Sequence, residues 1–257
     1  SSGIGAALVK VLVGLEANIW VIARNQDKIL DLQNQLGDKK HLLNYFLGDV
    51  KNFNEIKIIA STLQQEGKII HGLINSAGVA EPAEFGSMEI EKFHWQMDVN
   101  YYGTVHSVMA FLPLMEPGAF ITNISSTVGF LGVYGYTAYG ASKFAVRGFS
   151  DILRSELKPK NILVSIVFPQ DTDTPQLEYE NQFKPLITKK LSSTTSMMTP
   201  EKVAQSIIDG IQHKRYLILP GFESKFLYHL NNFLGPLSYP IMDLMVSWAM
   251  RQTTRKK

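Results

Sequence analysis

Along most of the chain, short apolar runs rich in β-branched residues alternate with stretches that read as helices. The runs lie at residues 18–23, 42–50, 72–75, 162–168 and 216–219. Each is short and nearly continuous in apolar character, the pattern of a strand covered on both faces. Between the early runs, residues 27–36 and 54–65 predict helices. A further helix opens at Thr199-Pro200, with Thr as its cap and Pro at its first position, and carries Val203, Ile207, Ile208 and Ile211 on an apolar face. This rhythm predicts an α/β protein built on a doubly wound parallel sheet. Helices cover both faces, and the ligand crevice lies at the carboxyl ends of the strands.

Two stretches break the rhythm. Residues 176–198 are polar with little periodicity and predict an irregular lid or substrate-binding loop. From Phe226 to Met250 the chain is dense in Phe, Leu, Met, Tyr and Trp, but Asn231, Asn232, Pro236, Pro240 and Asp243 interrupt it. No unbroken run of about 20 apolar residues exists, so a membrane span is not expected. Ile241, Leu244, Met245 and Trp248 fall at helical spacing, and Arg251, Arg255, Lys256 and Lys257 follow. An aromatic helix with a basic end suits a membrane interface. A subunit contact or a cover over the substrate pocket suits the same residues equally well. The expected organisation is one domain at 1–221 and a C-terminal helical extension at 222–257.

Composition narrows the classes. The 257 residues allow one large α/β domain, and 45% hydrophobic with 19% charged residues describes an ordinary folded protein. A formal charge of +2 gives no nucleic-acid footprint. With no cysteine, thiolate catalysis and Cys-ligated zinc are excluded, and the six scattered histidines have no ligand spacing.

Candidate chemistry centres on residues 125–143. Tyr139 and Lys143 stand four positions apart, on one face of a helix. A nearby cation favours a phenolate, so Lys143 together with a charged cofactor predicts a tyrosine whose pKa is drawn down from its usual ~10 towards neutrality. Reducing a ketone needs a proton delivered to oxygen as hydride reaches carbon, and Ser126 with Tyr139 is a donor pair for that oxygen. At the other end of the chain, Ser2-Gly3-Ile4-Gly5 runs straight into a helix-compatible segment. Glycines there let a phosphate approach the backbone and the helix N-terminus. The strand and first glycine that complete a dinucleotide fingerprint are missing from this reading, which predicts a native start further upstream. At the end of the first run, Arg24 stands where an acid would hold a ribose 2′-hydroxyl, and a cation there favours a 2′-phosphate, hence NADP(H).

Taken together, Ser2-Gly3-Ile4-Gly5, Asp49-Val50, Asn75-Ser76-Ala77-Gly78, Asn100, Ser126 and Tyr139-x-x-x-Lys143 resemble the ordered signatures of the short-chain dehydrogenase/reductase family. The resemblance covers residues 1–219 and implies a Rossmann-type fold that lacks its first strand in this chain. It implies roles by position. Gly3 and Gly5, with Ser2 and Ile4, would approach the pyrophosphate, and Asp49 beside Val50 would hold the adenine. Asn75, Ala77 and Gly78 would support the sheet against the cofactor. Asn100 would hold a relay water, Ser126 would orient the carbonyl, Tyr139 would be the acid, and Lys143 would bind the nicotinamide ribose and lower the tyrosine pKa.

After the run at 162–168, Pro169-Gln170-Asp171-Thr172-Asp173-Thr174-Pro175 and the acidic stretch to Asn181 resemble the 3-ketodihydrosphingosine reductases, although Gln170 departs from the Pro expected there. That resemblance implies Pro169, Thr172 and Thr174 beside the nicotinamide, NADPH as reductant and a long-chain keto-lipid as substrate. It also implies a homo-oligomer in the cytoplasm, peripheral on a membrane, which in a eukaryote would be the cytosolic face of the endoplasmic reticulum. Either Glu178 or Glu180 could pair with the ammonium of an amino-ketone. Another lipid, steroid or 3-oxoacyl ketone remains open as substrate, as does a non-catalytic dinucleotide-binding protein.

Overall fold

A computed structural model describes residues 1–192 and 196–254. In order, the elements are α1 (Gly3–Gly14), β1 (Ile19–Ala23), α2 (Gln26–Gln35), β2 (Leu43–Leu47), α3 (Phe53–Gln65), β3 (Gly72–Asn75), α4 (Ile90–Met97) and α5 (Gly103–Phe111). They continue with β4 (Phe120–Ile124), α6 (Thr137–Leu157), β5 (Leu163–Val167), α7 (Pro175–Phe183), α8 (Leu186–Ser192), α9 (Pro200–Gln212), β6 (Leu217–Ile218), α10 (Gly221–Leu234) and α11 (Ser238–Thr254). All ladders are parallel: β1 pairs with β2, and β3-β4-β5-β6 form the larger sheet.

Alternate residues of each strand feed opposite layers, as the two-residue strand period demands. Ile124, Val167 and Ile218 pack under Ala7 and Leu8 of α1 and Val203, Ala204, Ile207 and Ile208 of α9. On the other face, Ile121 and Val164 meet Val108 of α5 and Leu153 and Leu157 of α6. Val9 and Val13 of α1 also close over Leu43 of β2 with Leu32 of α2. The expected doubly wound architecture is therefore present.

The sheet is divided. No ladder joins β1 to β3 among the described residues, and the gap between them, where the expected first strand would lie, runs into the site and accounts for part of a cavity of about 1530 Å³ that the residues of both strands line. Small residues set close approaches around it. A Cβ on Gly103 would lie 2.6 Å from Val50 Cγ2, so the start of α5 packs closely on the loop after β2.

The stretch at 176–198 corrects the expectation of an irregular loop. Most of it is helical, as α7 and α8, because Thr174 caps α7 by accepting from the Leu177 amide at 3.3 Å and Pro175 takes the first helical position. This is the Thr-Pro start that also opens α9, where Thr199 accepts from the Lys202 amide at 3.4 Å. In the tail, α10 and α11 form as helices, and no helix among the described residues is long and apolar enough to cross a membrane. The terminal basic residues Arg255, Lys256 and Lys257 lie outside the described residues.

Candidate active site

The reactive side chains gather where β4, α6 and the strand-following loops meet. Ser126 follows β4 and caps the short turn Thr127–Gly129, its Oγ accepting from the Val128 amide at 3.4 Å. Tyr139 and Lys143 sit one turn apart on α6, and both are buried, with Lys143 only 4% exposed. Ser126, Tyr139 and Lys143 line the same cavity as the Gly3–Gly5 turn. The sequence spacing thus becomes one constellation.

The protein's own groups act on Tyr139 in the other direction from the one expected of Lys143 with a charged cofactor. Tyr139 is pushed up, not drawn down: burial is the leading cause, the Glu180 charge adds to it, and hydrogen bonds with Ser126 and Gln176 offset only part. Lys143 Nζ donates to the Ile124 carbonyl at 3.0 Å and lies 5.5 Å from the centre of the Tyr139 ring. Burial lowers that ammonium to about 8. One dry environment disfavours both charged forms, and the lysine is aimed at a backbone carbonyl.

Asn100 is 1% exposed within a π-helical turn spanning Asp98–Tyr102. Its Oδ1 accepts from the Val79 amide at 2.8 Å, and its Nδ2 donates to Val79 O and Ser142 Oγ, each at 2.9 Å. It ties the loop after β3 to α6. Its Oδ1 has capacity for one more donor, facing the side of Gly78, where a Cβ would lie 3.4 Å from Asn100 Oδ1 and 3.5 Å from Lys143 Nζ. Asn75 Nδ2 donates to Asn123 Oδ1 at 2.8 Å, and Asn123 Nδ2 donates to Ser150 Oγ at 2.9 Å, which locks β3, β4 and α6 together.

The remaining predicted positions line the cavity as well: Ser2, Ile4, Arg24, Asp49, Val50, Asn75, Ala77, Gly78, Pro169, Thr172 and Thr174. Gly3 adopts φ +51°, and a Cβ there would meet Thr174 Cγ2 at 2.9 Å, so the 170s loop closes directly on the glycine turn. α1 starts with no acid in its first turn and no side-chain cap on its amides, an arrangement that suits an anion. These residues fit a dinucleotide pyrophosphate. Arg24 lies 3.8 Å from Asp49 and is 60% exposed, so the two expected nucleotide contacts form a loose pair with each other. The hydroxyls of Thr172 and Thr174 are engaged locally: Thr172 Oγ1 donates to Gln170 O at 2.9 Å, and Thr174 caps α7. Any contact either makes with a ligand has to share that hydroxyl or use the methyl.

The structure adds residues the sequence reading missed. Lys28, in the first turn of α2, is a second cation on the cavity beside Arg24. Tyr136 donates to Glu180, and its ring lies 5.9 Å from that of Tyr139. Lys184 Nζ lies 3.4 Å from Glu180 Oε1 and 3.8 Å from Asp171 Oδ2, with its side chain 3% exposed. Of the two acids considered for an ammonium, Glu178 is exposed and Glu180 is buried on the cavity wall. The Glu180–Lys184 spacing of four was visible in sequence, but it carries meaning only once α7 is recognised as a helix. No group of three or more candidate metal ligands occurs among the described residues.

Comparison with known proteins matches this geometry. The short chain dehydrogenase family profile matches residues 1–185. The 3-ketodihydrosphingosine reductase of Mus musculus is 36% identical over 220 residues, which are 82% of this chain and 66% of that protein. The chain thus spans just under two thirds of that relative's length. The 3-ketodihydrosphingosine reductase of Dictyostelium discoideum is 34% identical, covering 96% of this chain and 80% of its own length. A solved short chain dehydrogenase/reductase from Burkholderia phymatum in complex with NAD superposes with a TM-score of 0.80 at 21% identity, over 92% of this chain and 91% of that one, a likeness of fold. The arrangement of Ser126, Tyr139 and Lys143 over a glycine-started helix, with the profile spanning most of the chain, means that this chain belongs to the short chain dehydrogenase family.

Proposed function

We propose that this protein reduces the ketone of 3-ketosphinganine to the secondary alcohol of sphinganine with NADPH. The observation that carries the reading is the joint placement of Ser126, Tyr139 and Lys143 on the cavity that also receives the Gly3–Gly5 turn. The names of the 34–36% identical relatives supply the substrate.

NADPH, when bound, supplies the hydride that adds to the carbonyl carbon. Tyr139 donates its proton to the carbonyl oxygen, so the C=O π bond becomes a C–H and an O–H bond. A phenol is protonated at neutral pH and burial disfavours its ionised form further, so Tyr139 carries the proton it gives in the reducing direction. Ser126 donates a hydrogen bond to the same oxygen as charge develops on it. Lys143 holds the nicotinamide ribose, and Asn100 fixes the loop after β3 and offers Oδ1 to a relay water. Ser2, Gly3, Ile4 and Gly5 take the pyrophosphate, Asp49 and Val50 the adenine, and Arg24 with Lys28 a 2′-phosphate. Asn75, Ala77 and Gly78 form the floor, and Pro169, Thr172 and Thr174 the side of the nicotinamide pocket.

The proposal extends to the tail, read as an extension at 222–257 on a domain at 1–221. Phe222, Phe226 and Phe233 fall on one face of α10 and are 82%, 52% and 88% exposed. An apolar face of that kind suits peripheral attachment to a membrane, on the cytosolic side of the endoplasmic reticulum if the cell is eukaryotic. Met242 and Met245 of α11 line the cavity, so the same helices reach the substrate. Self-association through α6 belongs to the same reading, since Phe144 and Ile152 are exposed on one face of that helix.

The test is NADPH oxidation by the full chain with 3-ketosphinganine, beside NADH and beside Tyr139→Phe. Turnover that prefers NADPH and vanishes in the variant is the expected result. Absence of turnover with NADPH still bound overturns the substrate. Vesicle co-sedimentation of a Phe222→Ser/Phe233→Ser variant tests the tail, and undiminished binding overturns the membrane reading.

A further inference from the structure

The wall of the cavity beside Tyr139 carries more negative than positive charge, and it does so in a buried place. Asp171, Glu180 and Lys184 all meet there, with Lys184 Nζ 3.4 Å from Glu180 and 3.8 Å from Asp171. One ammonium serves two carboxylates. Lys184 is 3% exposed and the Glu180 side chain 9%, while Asp171 is open enough at 35% to face an entering ligand. Burial raises the Glu180 carboxyl, Asp171 raises it further, and Tyr136 with Lys184 opposes this. An uncompensated charge at such a site is costly, so a second cation entering the cavity would be strongly favoured.

The residue next to Asp171 is tied to the start of α10. Gln170, next to Asp171, is 7% exposed and lines the cavity, yet its Oε1 has no hydrogen-bond partner among the described residues. Its Nε2 donates to Ser196 O at 2.7 Å and Ser196 Oγ at 2.9 Å and lies 3.4 Å from Glu223 Oε2. Gln170 occupies the position where the resemblance to the 3-ketodihydrosphingosine reductases led to an expected proline. That oxygen is enclosed on the side of α10, where a Cβ on Gly221 would lie 2.9 Å from it, so Gln170 braces the wall behind Asp171.

Glu180 also lies close enough to Tyr139 for its charge to be the second largest cause of the raised phenol, and Tyr136 bridges the two, bonded to Glu180 and stacked obliquely on Tyr139. A ligand whose carbonyl oxygen meets Tyr139 and Ser126 therefore presents its neighbouring atoms to this wall. In an α-amino ketone the ammonium is on the carbon next to the carbonyl.

We infer that Glu180 and Asp171 form a subsite for the ammonium of an α-amino ketone, with Glu180 the residue that sets the preference for amine-bearing substrates. The inference rests on the ketone-reductase reading and deepens it. Burial is the main cause of the raised Tyr139 phenol and the Glu180 charge adds to it; an ammonium beside Glu180 offsets that added part, so the amine favours proton delivery as well as binding. Glu180 is a positioning and specificity residue in this scheme; Tyr139 remains the acid.

The experiment compares 3-ketosphinganine with its N-acetyl form and with the matched long-chain ketone lacking nitrogen, using the full chain and NADPH. Wild type should favour the free amine by tenfold or more in kcat/KM, with part of the difference in kcat. Glu180→Gln should lose about that factor on the free amine and change less than threefold on the other two ketones. Equal losses on all three ketones, or no preference for the amine in wild type, overturn the subsite and leave ketone reduction standing. A purely structural role for Glu180 predicts the equal losses. Should Glu180→Gln fail to fold, the wild-type comparison of free and acetylated amine decides alone. Calorimetric binding of sphinganine against N-acetylsphinganine with NADP+ present separates the two readings. Amine-dependent binding without reduction of any ketone keeps the subsite and overturns the reductase, and equal binding overturns the subsite.

Discussion

The two charged walls of the cavity use similar side chains in different surroundings. On the nucleotide side, Arg24 and Asp49 stand 3.8 Å apart with Arg24 60% exposed. On the substrate side, Lys184 meets Glu180 at 3.4 Å with both side chains under a tenth exposed. Water screens the first pair, which contributes under ~1 kcal/mol to folding and can let go of its partner when a phosphate arrives. The second pair is held in low dielectric, where removing Lys184 strands two carboxylates, whereas removing Glu180 leaves Lys184 beside Asp171 at 3.8 Å. On the proposed function, the exchangeable charge suits a cofactor that must come and go, and the fixed buried charge suits discrimination between substrates.

The largest effect expected at the boundary of these walls comes from Tyr139→Phe. Loss of the acid should lower kcat about 10³-fold, equivalent to ~4 kcal/mol of transition-state stabilisation, while NADPH binding measured by fluorescence stays near wild type. A drop confined to KM would move the acid elsewhere.

Next is Lys184→Met, which strands Glu180 and Asp171 without their cation. Thermal or urea unfolding should show a loss of ~3–4 kcal/mol at neutral pH. The sign with pH follows from the raised Glu180 carboxyl. A carboxylate raised in the folded state destabilises once it ionises, so the variant should recover stability as pH falls through that raised value. Unchanged stability at neutral pH would mean the substrate wall is as well solvated as the nucleotide wall.

Lys143→Met works in the opposite direction. The ammonium titrates at about 8 in the fold against an ordinary 10.5, so the unfolded chain binds more protons between those values. Wild-type stability from this group therefore rises with pH across that window and is lowest below it. The variant should abolish turnover yet gain up to ~3 kcal/mol of stability below pH 8, less what is lost with the hydrogen bond to Ile124 O. Loss of both activity and stability would instead make Lys143 a structural strut.

The smallest effect belongs to the exposed pair. Arg24→Ala should weaken NADPH by about tenfold, ~1.4 kcal/mol, leave NADH unaffected and shift stability by less than ~0.5 kcal/mol. Equal weakening of both dinucleotides would remove the 2′-phosphate from the reading.

Much of this site was legible in order along the chain. Tyr139 and Lys143 share a helix face at any spacing of four, and Ser126 follows a strand, so their meeting needed only the parallel sheet that the apolar runs announced. The Thr199-Pro200 start was read correctly, whereas the same Thr-Pro signal at Thr174-Pro175 was masked by the polar residues that follow it. An amphipathic helix whose apolar side is narrow looks like a loop until its contacts are known.

The amino-acid sequence by itself determined the alternation of strands and helices, the glycine turn before α1 and the serine, tyrosine and lysine of the site, because each is encoded within a few neighbouring residues. Only the tertiary structure decided that Glu180 and not Glu178 faces the cavity, that Lys184 is shared between two acids, that Arg24 stands beside Asp49, and that Tyr139 is raised. Those outcomes depend on desolvation and on charges brought from distant segments, and neither quantity exists until the segments have packed.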